Sequence, residues 1–125
     1  MRARQLMDAL AAALLVLGVA PIAVGADALS PRYAPGRVVY EKWCAPCHDP
    51  GITHPGTHAL MAKYPNSSRA SGAITAWTDL QASYVRFMVR HGMSVMPPFR
   101  KTEISDTELA ALAAYLARNT PANGS

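Results

Sequence analysis

The chain has 125 residues, a formal net charge of +4 at pH 7 from 12 Lys and Arg against 8 Asp and Glu, and a hydrophobic content of 50%. This length is enough for one domain of ordinary size. The positive charge is weak and scattered along the chain, which argues against a nucleic-acid-binding surface.

The N-terminal segment has the pattern of a secretory signal peptide. Two arginines among the first five residues precede an uncharged, mostly apolar run over residues 9–26, and this run ends in small residues suited to a signal peptidase. An uncleaved membrane anchor is the alternative, since about 18 apolar residues is the lower limit for a span. The glycines and the proline in the run favour cleavage. We expect residues 1–26 to be the leader and residues 27–125 to form the mature domain.

A first helix is predicted to begin near Pro35-Gly36 and to lead into Cys44-Ala45-Pro46-Cys47-His48. This C-x-x-C-H string attaches a c-type haem, and its cysteines are the only two in the chain. Two cysteines three residues apart on one helical turn reach the two vinyl groups along one haem edge. The sequence therefore predicts Cys44 and Cys47 as thioether anchors and His48 as the first axial ligand of the haem iron.

Three other interpretations compete for the same cysteines. Trp43 to Cys47 also matches the W-C-x-P-C motif of an exported thioredoxin-like thiol–disulfide protein. That fold needs an apolar strand before the motif, and residues 36–42 contain only two β-branched residues. A disulfide between Cys44 and Cys47 would close a very small loop and stabilise little. A zinc site is the third alternative, although its two pairs of ligands are closely spaced. Its four ligands would be Cys44, Cys47, His54 and His58.

The rest of the chain predicts helices and loops but no strand. Residues 49–80, rich in Pro, Gly, Ser and Thr, are expected to form an unusually long loop. A helix is predicted from about Gln81 to His91, ended by Gly92. The last helix has the clearest signal, because Ser105 to Glu108 form a capping box ahead of leucines at helical spacing.

Met96, in the string Met96-Pro97-Pro98-Phe99, is predicted to be the second axial ligand. Pro97 restricts the backbone of Met96 to extended geometry, which suits a loop residue that reaches inwards. A thioether opposite the histidine completes six-coordination, raises the reduction potential and disfavours oxygen or peroxide chemistry. Met93 is the nearest rival. A bis-histidine haem through His54, His58 or His91 is a further alternative.

Several of these residues together resemble a class I c-type cytochrome. The resemblance rests on Gly36, Tyr40, Cys44-Ala45-Pro46-Cys47-His48, Met96-Pro97, Leu112 and Tyr115. It implies an all-α fold of three to five helices wrapped around one covalently bound haem c. It also implies an electron carrier rather than an enzyme, with Gly36 and Tyr40 packed against the terminal helix. In this family the carbonyl of a proline accepts a hydrogen bond from the ligand histidine, which points to Pro55, and Tyr64 and Trp77 lie where propionate donors often occur.

The resemblance also implies redox proteins as partners and a periplasmic location, because haem ligation in bacteria takes place outside the cytoplasmic membrane. The segment from Arg90 to Phe99 is similar to small cytochromes that accept electrons from flavin dehydrogenases. A flavoprotein is therefore the expected donor, and an oxidase or another cytochrome the expected acceptor. A basic surface near the methionine is predicted to steer an acidic partner. Its members are Arg86, Arg90, Arg100 and Lys101.

Overall fold

The computed structural model describes residues 29–122, so the predicted leader lies outside the described residues. Between residues 29 and 122 the chain forms helices and no strand, with a single isolated bridge between Met93 and Met96. The all-α prediction is confirmed. The α-helices are α1 (Ala34–Trp43), α2 (Ala45–His48), α3 (Pro55–Lys63), α4 (Ala82–His91) and α5 (Asp106–Leu116). Short 3-10 turns span Pro31–Tyr33, Ile74–Ala76 and Ala117–Asn119.

Helices α1 and α5 cross in direct contact at Gly36. A Cβ atom added to Gly36 would overlap the carbonyl of Ala111 and lie 2.7 Å from Cβ of Tyr115, so only glycine allows this approach. The rings of Tyr40 and Tyr115 meet along the same crossing, with centroids 5.7 Å apart. The predicted packing of Gly36 and Tyr40 against the terminal helix is therefore present.

Helix α5 begins where the sequence predicts. The Ser105 hydroxyl accepts a hydrogen bond from the Glu108 amide, and the Glu108 carboxylate accepts one from the Ser105 amide. This reciprocal pair satisfies two of the free amides at the start of the helix. Leu112 is fully buried within the core between α1, α4 and α5.

Helix α4 follows the prediction within one residue. It spans Ala82–His91, buries Val85 and Val89, and ends at Gly92, whose φ of 69° favours glycine. Among residues 29–122, no helix combines the length and the apolar character needed to cross a membrane.

The prediction of one long loop over residues 49–80 is wrong in its first half, because α3 occupies Pro55–Lys63. Pro55 lies within the first turn of this helix, where its missing amide costs nothing, and the run Ala59-Leu60-Met61-Ala62-Lys63 consists of strong helix formers. The proline and glycine at the start hid a helix whose apolar residues are not confined to one face. Fully buried Thr57 anchors it to the rest of the fold.

We predict that Gly36→Ala destabilises the holoprotein by about 1–3 kcal/mol, because the added methyl group meets backbone that cannot rotate away. Denaturant unfolding of the purified protein measures this change. Val38→Ala, on the same helix but with 63% of its surface exposed, is the control and should stay within about 0.5 kcal/mol of the parent protein. Equal stability of the two variants would contradict the close crossing.

Candidate haem site

The Cys44–His48 string lies at the junction of α1 and α2. Cys44 caps the end of α1, and its carbonyl accepts hydrogen bonds from the amides of Cys47 at 3.1 Å and His48 at 2.9 Å. This single turn brings the two cysteines and the histidine close together in space. Both thiols are free, with Cys44 buried and Cys47 exposed, so the predicted alternative of a Cys44–Cys47 disulfide is not formed. Burial, together with the neighbouring Cys47, raises the pKa of Cys44 to about 12.

His48 is held against the start of α3. A Cβ atom on Gly56 would lie 2.8 Å from Cε1 and 2.9 Å from Nδ1 of the His48 ring, so the glycine leaves the space that the imidazole occupies. Burial lowers the pKa of His48, which keeps the imidazole neutral at pH 7. A neutral imidazole is the form that ligates a metal.

The hydrogen bond from His48 to the carbonyl of Pro55 is absent. Nδ1 of His48 is buried and has no hydrogen-bond partner among the described residues. Pro55 is helical, and a carbonyl in the first turn of an α-helix is directed along the axis to the amide four residues later. Gly56, the residue after Pro55, lies against the imidazole instead.

Two hydrogen bonds hold the residue that follows His48. The Tyr40 hydroxyl, on α1, donates to Oδ1 of Asp49 at 3.0 Å, and the buried Thr57 hydroxyl, on α3, donates to the Asp49 carbonyl at 2.8 Å. Burial, with this bond to Asp49, raises the pKa of Tyr40, so its hydroxyl remains a donor. The sequence analysis missed the roles of Thr57 and Asp49, since no local pattern connects positions eight residues apart.

Met96 lies in a tight turn directly after α4. The amide of Met93 donates to the carbonyl of Met96 at 3.0 Å, and the amide of Met96 donates to the carbonyl of Met93 at 2.9 Å. Ser94, inside the turn, has a φ of 54°, and a side chain on Gly92 would meet the Met96 carbonyl at 2.5 Å. Met96 is half-buried, whereas its rival Met93 is 47% exposed.

The three histidines of the bis-histidine alternative lie in other settings. The His54 side chain donates to the carbonyl of Pro46 at 3.2 Å, His58 is exposed, and His91 stacks on Phe87 with ring centroids 4.3 Å apart. His54 is half-buried, as His48 is, but its ring is already engaged in this hydrogen bond. Within residues 29–122, no group of three or more His, Cys, Asp or Glu side chains is arranged to hold a metal ion. This finding argues against the zinc alternative.

Trp77 and Tyr64 form one aromatic cluster. Trp77 is 4% exposed, its ring meets Tyr64 edge to face at 5.9 Å, and the guanidinium of Arg69 lies 4.5 Å from its centroid. Nε of Arg69 also donates to both carboxylate oxygens of Asp79, each at 3.0 Å. The Nε1 atom of Trp77 is buried and has no partner among the described residues. A buried indole N–H normally has a hydrogen-bond acceptor, so Trp77 is suited to donate to a negatively charged group.

Three of the four members of the predicted basic surface are paired with carboxylates. Lys101 pairs with Asp106 at 2.7 Å, Arg100 pairs with Glu103 at 3.5 Å, and Arg90 is only 20% exposed, bonded to Asp106 and to backbone carbonyls. Ion pairs with Lys101 first and Arg90 second lower the pKa of Asp106, so the carboxylate stays charged. Two carboxylates offset only part of the charge of the four predicted cations, so steering of an acidic partner stays a prediction.

Comparison with known proteins assigns the chain to a family. Residues 31–116 match the family described as cytochrome c oxidase, cbb3-type, subunit III. The match covers more than half of the chain and contains every residue of the candidate site. The chain therefore belongs to this family of c-type cytochrome domains, and its cofactor is haem c with its iron.

One curated relative agrees with this assignment. The chain is 25% identical over 95 residues to the 4-cresol dehydrogenase [hydroxylating] cytochrome c subunit of Pseudomonas putida, and the alignment covers 76% of this chain and 69% of the relative. No solved structure matches the chain. Family and relative together identify an electron-transfer haem protein and support a carrier rather than a catalytic enzyme.

The residues present fit haem c. A helical C-x-x-C turn offers two thiols, a neutral imidazole follows directly, and its ring rests on a glycine that leaves room for it. The buried Nε1 of Trp77 offers a donor for a carboxylate. These features match what a covalently held porphyrin with an axial histidine and acidic side groups requires.

We predict that Gly56→Ala displaces the His48 imidazole, because the new methyl group would lie within 3 Å of both the ring and the Cys47 carbonyl. The expected result is a shift in the reduction potential on the order of tens of millivolts, measured by spectroelectrochemistry, since the orientation of a ligand tunes its metal. His58→Ala, exposed on the same helix, is the control and should leave the potential unchanged. An unchanged potential in Gly56→Ala would show that this contact does not orient the imidazole.

Proposed function

We propose that this protein carries single electrons between redox proteins through a haem c attached to Cys44 and Cys47, with His48 and Met96 as the axial ligands of its iron. Haem c supplies the one-electron exchange between ferric and ferrous iron. The polypeptide anchors the group, supplies both ligands and excludes water from the histidine side.

The observation that carries this proposal is the set of contacts around His48. The imidazole is half-buried with its Nδ1 atom fully buried, is held in its neutral form and packs on Gly56, while Tyr40 and Thr57 hold the next residue from two helices. An imidazole on a solvent-exposed face would need none of these supports. Such restraint of a ligand is typical of metal centres, where the surrounding residues set the position of the ligand.

The setting of Met96 supports the second part of the proposal. A thioether is a soft ligand that stabilises ferrous iron and raises the reduction potential. Met96 is half-buried in a turn closed by two backbone hydrogen bonds, whereas Met93 is largely exposed. A ligand held by the backbone changes its position little between the two oxidation states, which favours fast electron exchange.

Trp77 is proposed to bind a haem propionate. Its indole N–H is a buried donor without a partner among residues 29–122, and Arg69 lies over its ring with a positive charge. A hydrogen bond to a charged acceptor is stronger than one to a neutral acceptor, so a carboxylate suits this buried donor.

We propose the periplasm as the location, with residues 1–26 as a cleaved leader and residues 27–125 as the mature domain. The support is the charged and apolar pattern of the leader and the typical export of c-type cytochrome domains.

We also propose a flavin-dependent dehydrogenase as the electron donor and an oxidase or another cytochrome as the acceptor. The likeness to a dehydrogenase cytochrome subunit supports this donor.

The first test of the proposed function uses the full chain expressed with haem-ligation machinery. The intact mass should correspond to residues 27–125 plus one covalently attached haem. The ferric spectrum should contain the weak far-red band of a methionine–iron bond. We expect Met96→Ala to abolish this band, to admit carbon monoxide to the ferrous iron and to lower the potential by on the order of 100 mV, within the ~0.8 V that axial ligands span.

Met93→Ala is the matched control, because Met93 lies in the same turn, and it should retain the band and the potential. An unchanged potential in Met96→Ala would disprove this ligand assignment. Purified protein without covalent haem would favour the thiol–disulfide alternative. An N-terminus that retains the leader would favour a membrane anchor.

A second prediction concerns the donor. We expect the tagged protein, isolated from its native cells at low salt, to co-purify with a yellow, flavin-containing dehydrogenase that reduces the haem when its substrate is added. Absorbance of the reduced haem bands measures this reaction. Isolation of the cytochrome alone, without reduction by any flavoprotein fraction, would contradict a flavin dehydrogenase as donor and leave the carrier function intact.

A further inference from the structure

The turn that contains Met96 belongs to a longer irregular segment, residues 92–105, which joins α4 to α5. Irregular backbone lacks the repeating hydrogen bonds of a helix and opens more easily. A ligand on such a segment stays in place only if other contacts hold the segment. The question is which contacts do so here.

Arg90, in the last turn of α4, binds this segment at two points and α5 at a third. One guanidinium nitrogen donates to the carbonyl of Phe99 at 3.0 Å, and the other donates to the carbonyl of Ile104 at 2.9 Å and to Oδ1 of Asp106 at 3.0 Å. The side chain is 20% exposed. A single side chain thus connects the end of α4, the Met96 segment and the start of α5.

These contacts close the chain around Met96. The amide of Phe99 donates to the carbonyl of Val89 at 2.8 Å, next to the bond between Arg90 and the Phe99 carbonyl. The Phe99 ring meets Trp43 at 5.8 Å, beside Cys44. Residues 90–99 therefore form a closed loop whose two ends are joined at Phe99, with Met96 inside it.

The planar guanidinium suits this task better than any other side chain. Its donors are set in a rigid fork, so it reaches two carbonyls and a carboxylate at once, whereas an ammonium group at the end of a lysine is a single point charge. Bonds from a charged donor are also stronger than neutral ones. The Asp106 carboxylate, which also pairs with Lys101, orients the guanidinium from the far side.

We infer that Arg90 is a positioning residue for Met96: it holds the closed loop of residues 90–99 so that the thioether remains on the iron and external ligands are excluded. This inference rests on the proposed function, since it takes Met96 as the axial ligand. Loss of the arginine raises the fraction of molecules with an open loop. The apparent affinity for an external ligand rises in proportion to that fraction.

The experiment titrates the ferric holoprotein with imidazole and records the far-red band, the midpoint potential and the thermal unfolding midpoint. We expect Arg90→Ala to bind imidazole at least tenfold more tightly, with a weaker far-red band, because three charge-assisted hydrogen bonds are lost. Arg90→Lys should fall between Ala and the parent protein. Arg86→Ala, an exposed arginine on the same helix, should behave as the parent protein.

Gly36→Ala is the control for an effect of lower stability alone, because it weakens the fold at the crossing of α1 and α5 without removing a contact to the Met96 segment. If Gly36→Ala tightens imidazole binding as much as Arg90→Ala does, the inference is overturned. It is also overturned if imidazole affinity is unchanged in a folded Arg90 variant, and Arg90→Lys serves for this comparison if Arg90→Ala does not fold. A parent protein without the far-red band would instead overturn the ligation proposed for Met96.

Discussion

The direct contact of α1 with α5 at Gly36 is the constraint on which the rest of the structure depends. The carbonyl of Ala111 and Cβ of Tyr115 fill the volume that any side chain at Gly36 would need. This contact sets the line along which α1 delivers the Cys44–His48 turn to the interior. It also sets the place of α5, whose first turn carries the Asp106 carboxylate that binds Arg90. The positions of the Cys44–His48 turn and of the Asp106–Arg90 contact therefore both depend on this one helix crossing.

The two proposed axial ligands are held in different ways. His48 lies in a helical turn, and its neighbour Asp49 is bonded to both α1 and α3, so the imidazole has little freedom. Met96 lies in irregular backbone that owes its place to a turn and to the side chain of Arg90. Local opening has its lowest cost where backbone hydrogen bonds are fewest, so the segment of Met96 opens more easily than the helical turn of His48. The same asymmetry allows the histidine side to remain ordered through a redox cycle.

Where one local rule dominated, the sequence predicted the structure well. The capping box at Ser105 placed the start of α5, and Gly92 placed the end of α4. The helix crossing at Gly36 was predicted from the family resemblance instead. Prediction failed where two rules competed. Proline and glycine at the start of α3 suggested a loop, although proline in the first turn is compatible with a helix. A charge pattern suggested a free basic surface, although three of its four members form ion pairs with carboxylates.

By itself the sequence determined the reactive groups, which are two thiols and an imidazole on one turn and a thioether after a helix. It also determined that the chain is helical. These are properties of residue type and short spacing, which any conformation of the segment must respect. Only the tertiary structure decided that His48 rests on Gly56 rather than bonding to Pro55, and that Arg90 binds two backbone carbonyls of the segment between α4 and α5. Such contacts join residues whose separation along the chain carries no periodic signal, so they exist only once the helices have packed.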